Sequence, residues 1–581
     1  MNLVTELKKI ISECISQKLK ISPEFSISFA SEKIPAIFST NVAFTISKLL
    51  EIKVSPKEIA EELCTTLNLE KTDFVFSDLN GFINVNLTDS GFGKVLNSFS
   101  DETLSATKLN TGKNFSVEYI SPNSNKSLHV GHLENACIGQ FIVNTFKYTG
   151  ANVNSEILYN NRGISIEKLV YGYLEFENKN PELMEFLESE NCKSQPLIDN
   201  LYLWASEKFS NNVEVEQRVK QMVVEWEQEM EKREVNNFEI DNLESESDVI
   251  KTWKKVVDIS LANQNKTIER IGCKFDKRWY ESDFFSLGKK WVEKGVEKNI
   301  FRIDDGAILT DLKNYKIPDT VVKKSDGTAL YITQDFALTE LKVENFKADK
   351  YIWVVGNEQS LALKQLFAVC EQLEIAKLEN FTHVSYPFIT IKGGGKMSSR
   401  KGTAVYADSL IDSVKEKLTE EFPSNDVDFE KLALAAVKFS LLKYARTTEV
   451  KFDIDDTVSL GGFSGLYIMY AYVRCKAILE KSELPTIQIG ESVLNEYEKN
   501  IISKMLEFES VVISSIEEFA AHKICHYLYE LANEFNAFYG NCQVIGTEGD
   551  VLKQRLLISI ACLKILKTGF DLLGIQTVDK M

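Results

Sequence analysis

The chain has 581 residues, 44% hydrophobic and 26% charged, and a formal net charge of −18. These totals suit a soluble globular protein of roughly two to four domains. The acidic sum excludes a protein that coats nucleic acid non-specifically, although a local basic surface could still grip a folded RNA. The ten cysteines stand singly, with no C-x-x-C, which suits reduced thiols in a cytoplasmic protein and argues against zinc. A charged amphipathic N-terminus and the lack of a long uncharged apolar run speak against a signal peptide and a membrane span.

Residues 1 to about 106 read as a small α+β domain. Leu3, Leu7, Ile10, Ile11 and Cys14 form a helical stripe, and Gly81 to Leu87 alternates apolar and polar at period two. Ser105 to Lys113 is polar and ends in Thr-Gly-Lys, as a linker would. From 107 to 410 helical and strand patterns alternate, the signature of an α/β domain with a parallel sheet and crossover helices. It opens with the apolar run Phe115 to Ile120, a strand signal. Ser121-Pro122-Asn123 breaks that run, because proline cannot sit in a central strand. Leu133, Ala136, Cys137 and Phe141 then follow at helical spacing. Residues 175 to 255 lose the strand signals and read as a charged helical insertion. Strand signals return at Gly306–Leu312, Ala329–Thr333, Tyr351–Val355 and His383–Ile391. Residues 411 to 581 read as an all-α helix bundle.

The first turn of the helix after Phe115–Ile120 carries His129, Gly131 and His132. Free N–H groups and the positive dipole end favour anions there, two histidines three apart share a face, and a glycine between them lets a ligand approach the backbone. Composition alone would give about 0.002 matches to H-x-G-H in a chain with five histidines. The arrangement reads as a nucleotide site. Lys392 to Thr403, KGGGKMSSRKGT, offers donors and positive charge for a polyphosphate and its departing pyrophosphate. A nucleotidylyl enzyme acting on a small molecule would not need the helical last third. An RNA-binding relative without activity should have lost a histidine or the loop lysine, and both are present.

HVGH followed about 260 residues later by KMSSR resembles the paired HIGH and KMSKS signatures of class I aminoacyl-tRNA synthetases. SPNSNKSLHVGH, SDGTALYITQD, GNEQSLALKQLF, YLYELANEFNAFYGNC and FDLLGI, in this order, narrow the resemblance to the arginyl-tRNA synthetase family. It implies three parts: an additional N-terminal domain that contacts tRNA, with Asn80, Phe82 and Asn84 at D-loop positions; a Rossmann-type catalytic domain; and a helical anticodon-binding domain. It implies ATP with Mg²⁺, L-arginine and tRNA(Arg) as substrates, with the chain acting as a monomer. The family's order of events is arginyl-adenylate formation and then transfer to the terminal ribose of tRNA, usually with tRNA bound first. His129, Gly131, His132, Lys396, Met397, Ser398, Ser399 and Arg400 match the ATP-binding signatures, with His129, His132 and Lys396 catalytic.

The guanidinium of arginine requires a carboxylate that accepts two parallel N–H bonds. Asp335 is the expected partner, with Tyr331 four residues earlier on the same face if a helix starts near Thr333. Glu118 could add a second carboxylate. Ser121, Pro122, Asn123, His132 and Gln359 match family positions that hold the amino acid. The chain departs from the family at Arg400, where the second KMSKS lysine would stand. It departs again at Glu134, where many relatives have arginine, and in FSGLYIMYAYVR.

Overall fold

The computed structural model describes residues 3–31, 33–50, 54–70, 72–99, 108–193, 195–234, 247–325, 331–392, 405–424, 426–482 and 493–581. The amino-terminal unit is an antiparallel sheet of Ser28–Phe29, Phe38–Thr40, Phe82–Leu87 and Phe74–Leu79, in that spatial order. Its helices are Leu3–Leu19, Val42–Leu50, Pro56–Leu69 and Asp89–Ser98. The first buries Leu3, Leu7, Ile11, Cys14 and Ile15, so the helical stripe read from the sequence is the face that meets the core. Asn80 and Gly81 turn the last hairpin with φ of +53° and +88°. A two-residue turn with positive φ at both positions matches the twist of its strands, and asparagine and glycine adopt it at least cost.

The central domain is built on five parallel strands: β1 (Asn114–Glu118), β2 (Asn152–Tyr159), β3 (Lys277–Tyr280), β4 (Lys350–Gly356) and β5 (Phe381–Tyr386). Their order is β5-β4-β1-β2-β3. The chain steps one way from β1 to β3 and the other way from β1 to β4, so the crevice at the carboxyl ends of β1 and β4 is the topological switch point, where open α/β sheets bind ligands. Helix α1 (Val130–Tyr148) starts beside that crevice. Its Gly139 lies so close to the sheet that a Cβ there would come within 2.2 Å of the Tyr119 ring.

Helices between Ile164 and Arg270 fill the connection from β2 to β3, around a separate core that includes Trp226, Trp253 and Phe285. They reach further at both ends than the 175–255 expected, because a crossover helix and an inserted helix carry the same amphipathic pattern. After β3 comes a small antiparallel sheet of Phe301–Asp304, Ala307–Thr310 and Val321–Lys323. Then follows α2 (Tyr331–Phe346). The strand expected at Ala329–Thr333 is therefore corrected: residues 326–330 lie outside the described residues, and Tyr331 to Thr333 are the first turn of a helix. The local preference of Ile332 and Thr333 for extended structure is overridden by tertiary contacts. Ile332 packs into an apolar cluster, and the Thr333 hydroxyl donates to the Val322 carbonyl at 3.0 Å.

From Ala407 onward the described chain is helical apart from the short strand Lys451–Phe452. The long helices Phe429–Leu442, Gly465–Glu480, Ala521–Asn541 and Gly549–Leu572 bury Phe439, Cys475, Leu528, Phe535 and Ile565. This bundle grips the far end of α1. The Lys438 ammonium donates to Gln140 Oε1 at 2.9 Å and to the Gly574 carbonyl, and Asn144 donates to the Asp571 carbonyl at 2.8 Å. The amino-terminal unit attaches to the same bundle through Lys499–Asp89 at 2.7 Å and Lys564 to the Phe99 carbonyl at 3.1 Å. Among the described residues no helix is long and apolar enough to cross a membrane.

Candidate active site

His129 is the N-cap of α1. Its Nδ1 accepts the Gly131 N–H at 3.1 Å, and Nδ1 of His132 accepts the His129 N–H at 3.1 Å. Two orphan backbone donors of the helix start are thus satisfied reciprocally, by imidazoles in place of the usual hydroxyl and carboxylate. The rings sit with centroids 3.9 Å apart. A Cβ on Gly131 would lie 3.0 Å from the His129 ring, so the glycine makes room for the imidazole that folds back over it.

Electrostatics keep both rings neutral. Burial, with the nearby Lys126 ammonium, pulls His129 down to about 4. Burial, then His129 and Lys126, hold His132 well below the ordinary histidine value. With Nδ1 of each ring accepting from the backbone, the single proton of the neutral ring resides on Nε2. The helix start therefore presents two N–H donors of fixed tautomer beside the lysine's charge. Lys126 was not singled out in the sequence; its place three residues before His129 is the signal that pointed to it.

The segment 393–404, with Lys396, Met397, Ser398, Ser399 and Arg400, lies outside the described residues. Its flanks are anchored. Thr390–Ile391 pairs in parallel with Lys451–Phe452. On the other side the Val130 N–H donates to the Val405 carbonyl, and the Ala407 N–H to the Leu128 carbonyl, each at 3.0 Å. The chain thus leaves the glycine-lysine segment by pairing directly with the histidine motif.

Between β1 and α1 the backbone is strained: Ile120 and Ser121 have φ of +71° and +36°, a region that β-branched residues rarely enter. Asn135 holds the turn, accepting the Ile120 N–H at 2.6 Å while donating to the Val354 carbonyl at 2.7 Å and to Tyr386 Oη at 2.8 Å. One amide thereby ties β1, β4 and β5 together at the crevice. Asn123 is exposed and Pro122 buried, and the Pro122 carbonyl accepts the Asn160 N–H at 3.1 Å. Gln359 is exposed at the end of the 3-10 turn Asn357–Gln359, just beyond β4.

Asp335 stands on α2 with part of its surface open. Burial, then the carboxylates of Glu118 and Glu281, push its carboxyl up to about 7 against the pull of Lys342. A carboxylate in that state gains from an added cation. Glu118 is differently placed. One oxygen accepts from the Lys342 ammonium, and Oε1 accepts from the Ser121 hydroxyl at 2.8 Å. Each of its oxygens thus already accepts one hydrogen bond from within the protein. Tyr331 begins α2, four residues before Asp335, two positions earlier than the expected start. Its side chain lies outside the described residues. Glu134 is buried, and burial pushes its carboxyl up to about 8.

Asn80 and Phe82 are exposed, Phe82 against Phe44 at 5.1 Å, whereas Asn84 is buried. A second polar surface, absent from the sequence reading, lies on the helix bundle. The Arg474 guanidinium sits 4.2 Å from the Tyr470 ring and 5.2 Å from Tyr539, both exposed, and donates to Asn536 at 3.1 Å. The i, i+4 spacing of Tyr470 and Arg474 was the available signal.

Comparison with known proteins agrees with this layout. Residues 94–454 match the family described as tRNA synthetases class I (R), catalytic domain; residues 468–581 match the DALR anticodon binding domain; residues 5–87 match the arginyl tRNA synthetase N terminal domain. The chain is 30% identical to an arginine–tRNA ligase of Treponema denticola, with all of both chains covered. It is also 30% identical to one of Borrelia turicatae, over 93% of this chain and 91% of that one. Among solved structures it is similar to an arginyl-tRNA synthetase of Thermus thermophilus, at a TM-score of 0.77 and 22% identity over the whole of both chains. The arginyl-tRNA synthetase of Plasmodium falciparum has the same score and identity, over 100% of this chain and 99% of that one.

Proposed function

The chain belongs to the class I arginyl-tRNA synthetases, and from that premise we propose how its own residues attach arginine to tRNA(Arg) at the expense of ATP. The observation that carries the reading is the start of α1 at the switch-point crevice, where His129 and His132 hold two fixed Nε2–H donors; Asp335, partly open on α2, supplies the carboxylate. His129 and His132 donate to phosphate oxygens as the arginine carboxylate attacks the α-phosphorus. A preorganised donor of this kind contributes most where charge builds up in the transition state. Lys126, together with Lys396 and the Met397–Arg400 segment, neutralises charge on the leaving pyrophosphate. Mg²⁺ arrives with ATP and is held chiefly by the phosphates.

Asp335 receives the guanidinium as a fork, with Tyr331 one helical turn before it. Ser121, Pro122, Asn123 and Gln359 line the path to the amino-acid end. Arginine's carboxylate oxygen bonds to the α-phosphorus as the bond to pyrophosphate breaks. The terminal ribose hydroxyl of tRNA then attacks the arginyl carbonyl and AMP leaves. Residues 1–106 with exposed Asn80 and Phe82, and the aromatic–arginine surface of 411–581, provide the tRNA contacts, the latter offering stacking faces for unpaired bases. We read the protein as a monomer of the cytoplasm, whose ten buried free thiols suit a reducing compartment.

The test is ATP–pyrophosphate exchange across the twenty amino acids, with and without tRNA. Exchange confined to arginine is the expected result. Exchange with another amino acid, or with none in the presence of tRNA, overturns the reading.

A further inference from the structure

Residues 123–129, between the strained turn and the start of α1, belong to no helix or strand, so contacts with other parts of the chain set where Lys126 and His129 stand. Two of those contacts come from the helical insertion between β2 and β3. Gln264, buried on the helix Asp248–Arg270, donates through Nε2 to the Asn123 carbonyl at 2.9 Å and to the Lys126 carbonyl at 2.8 Å. Asp199, buried near the start of the helix Leu197–Asn211, takes both donors of the residue that follows Lys126. Its Oδ1 accepts the Ser127 N–H at 3.0 Å, and its Oδ2 accepts the Ser127 hydroxyl at 2.7 Å. An ionised carboxylate, with acceptors only, suits such a pair of donors.

The same stretch of the insertion also reaches the residues paired with the histidine motif. Tyr406 bridges His129 in antiparallel register, between the two backbone bonds made by Val405 and Ala407. Its hydroxyl donates to Gln195 at 3.3 Å, four residues before Asp199. Burial, and then the Asp199 charge, push the Tyr406 phenol above its ordinary value, so the carboxylate stands beside that ring as well. We propose that Asp199 is a positioning residue for the ATP half of the reaction, acting through Ser127 to fix Lys126 and His129 where they meet the phosphates. Asp335, which receives the guanidinium, stands on a different element, α2, and does not depend on this carboxylate. The inference rests on the reading above that the histidine motif receives ATP.

A positioning residue and a mere prop of the insertion differ in what they move. Loss of a prop lowers stability and harms both substrates alike, whereas a displaced Ser127 harms the use of ATP selectively. The experiment is ATP–pyrophosphate exchange with arginine and tRNA present, for the wild type, D199A, D199N, S127A and D199A/S127A, with thermal melting of each. D199A should lose about ten-fold or more in kcat/KM for ATP, while its KM for arginine stays within about two-fold of the wild type. Asparagine can still accept the Ser127 N–H and can donate to the hydroxyl oxygen, so D199N should recover most of the loss. S127A gives up one bond of the pair and should lose about two- to five-fold in kcat/KM for ATP. The double variant should be no worse than D199A, because both substitutions release the same segment.

An unchanged kcat/KM for ATP in D199A overturns the proposal, and so do equal rises in the two KM values, which would make Asp199 a prop of the fold alone. A D199N enzyme as impaired as D199A overturns it too, since the charge and not the hydrogen bonds would then matter. Losses that multiply in the double variant count the same way. Removing the carboxylate leaves the Ser127 N–H without its acceptor, which costs stability. If D199A does not melt cooperatively, S127A decides: a lower kcat/KM for ATP with an unchanged arginine KM supports the positioning role, and any other pattern overturns it. A wild type that exchanges with no amino acid would instead sink the reading of the histidine motif.

Discussion

The two imidazoles of α1 use their Nδ1 atoms to cap their own helix, so substitution removes a cap as well as a donor. His132→Ala should lower kcat by about 10²–10³-fold, the effect of losing one preorganised donor; single-turnover adenylate formation measures it. Acid inactivation should trace to Asp335 rather than to these rings, because the histidines are neutral well below pH 7. On the proposed reading arginine binds the ionised carboxylate, and burial with the charges of Glu118 and Glu281 pushes the Asp335 carboxyl up to about 7. kcat/KM for arginine should therefore fall about ten-fold per pH unit below that point, and the limb should disappear in Asp335→Asn. That variant leaves the guanidinium unpaired and should lose about 10²–10³-fold in kcat/KM, while the wild type should reject neutral citrulline by about 10⁴-fold. The stability effects oppose one another. The folded chain holds the Asp335 proton between about 4 and 7, so its contribution is full at low pH and fades as pH rises through 7. The depressed value of His129 acts the other way, costing stability as pH falls from 6.5 toward 4.

At the scale of elements, α1 lies against the sheet because Gly139 permits it. Gly139→Ala would drive a methyl into the Tyr119 ring and should destabilise the domain by about 1–3 kcal/mol, read from the urea midpoint. The helix start was plain in the sequence because His129 and His132 are rare residues in a tight spacing just after a turn. The start of α2 was harder to see. Tyr331-Ile332-Thr333 carries the side chains of a strand, and only its packing against residues distant in sequence makes it helical. Lys342 was equally hidden: a lysine on a helix reads as solvated, and nothing local reveals that Glu118 and Glu156, more than 180 residues earlier in the chain, surround it. Asn135 is hidden for the same reason, since its partners are the turn after β1 and the strands β4 and β5.

In the whole molecule the change from alternating to helical patterning marks a change of layer, and from Ala407 onward the described chain is helical apart from one short strand. How its parts touch could not be read from periodicity. The amino-terminal unit docks on the helix bundle through residues far apart in sequence, such as Lys499 and Asp89. Despite the acidic total of −18, tRNA affinity should fall steeply with salt, with log K declining linearly in log salt concentration as phosphate counterions are released. Filter binding between 50 and 200 mM salt checks it, and a flat response would count against phosphate contacts.

The grip of the bundle on α1 also bears on how the enzyme is born. Asn144 closes on the Asp571 carbonyl across 427 positions of chain. A translating ribosome therefore releases the helix that carries the histidines long before the segment meant to clasp it. The nascent catalytic half must wait with that flank uncovered, and a chain broken off before position 571 would lack the Asn144 clasp on the helix that carries both imidazoles.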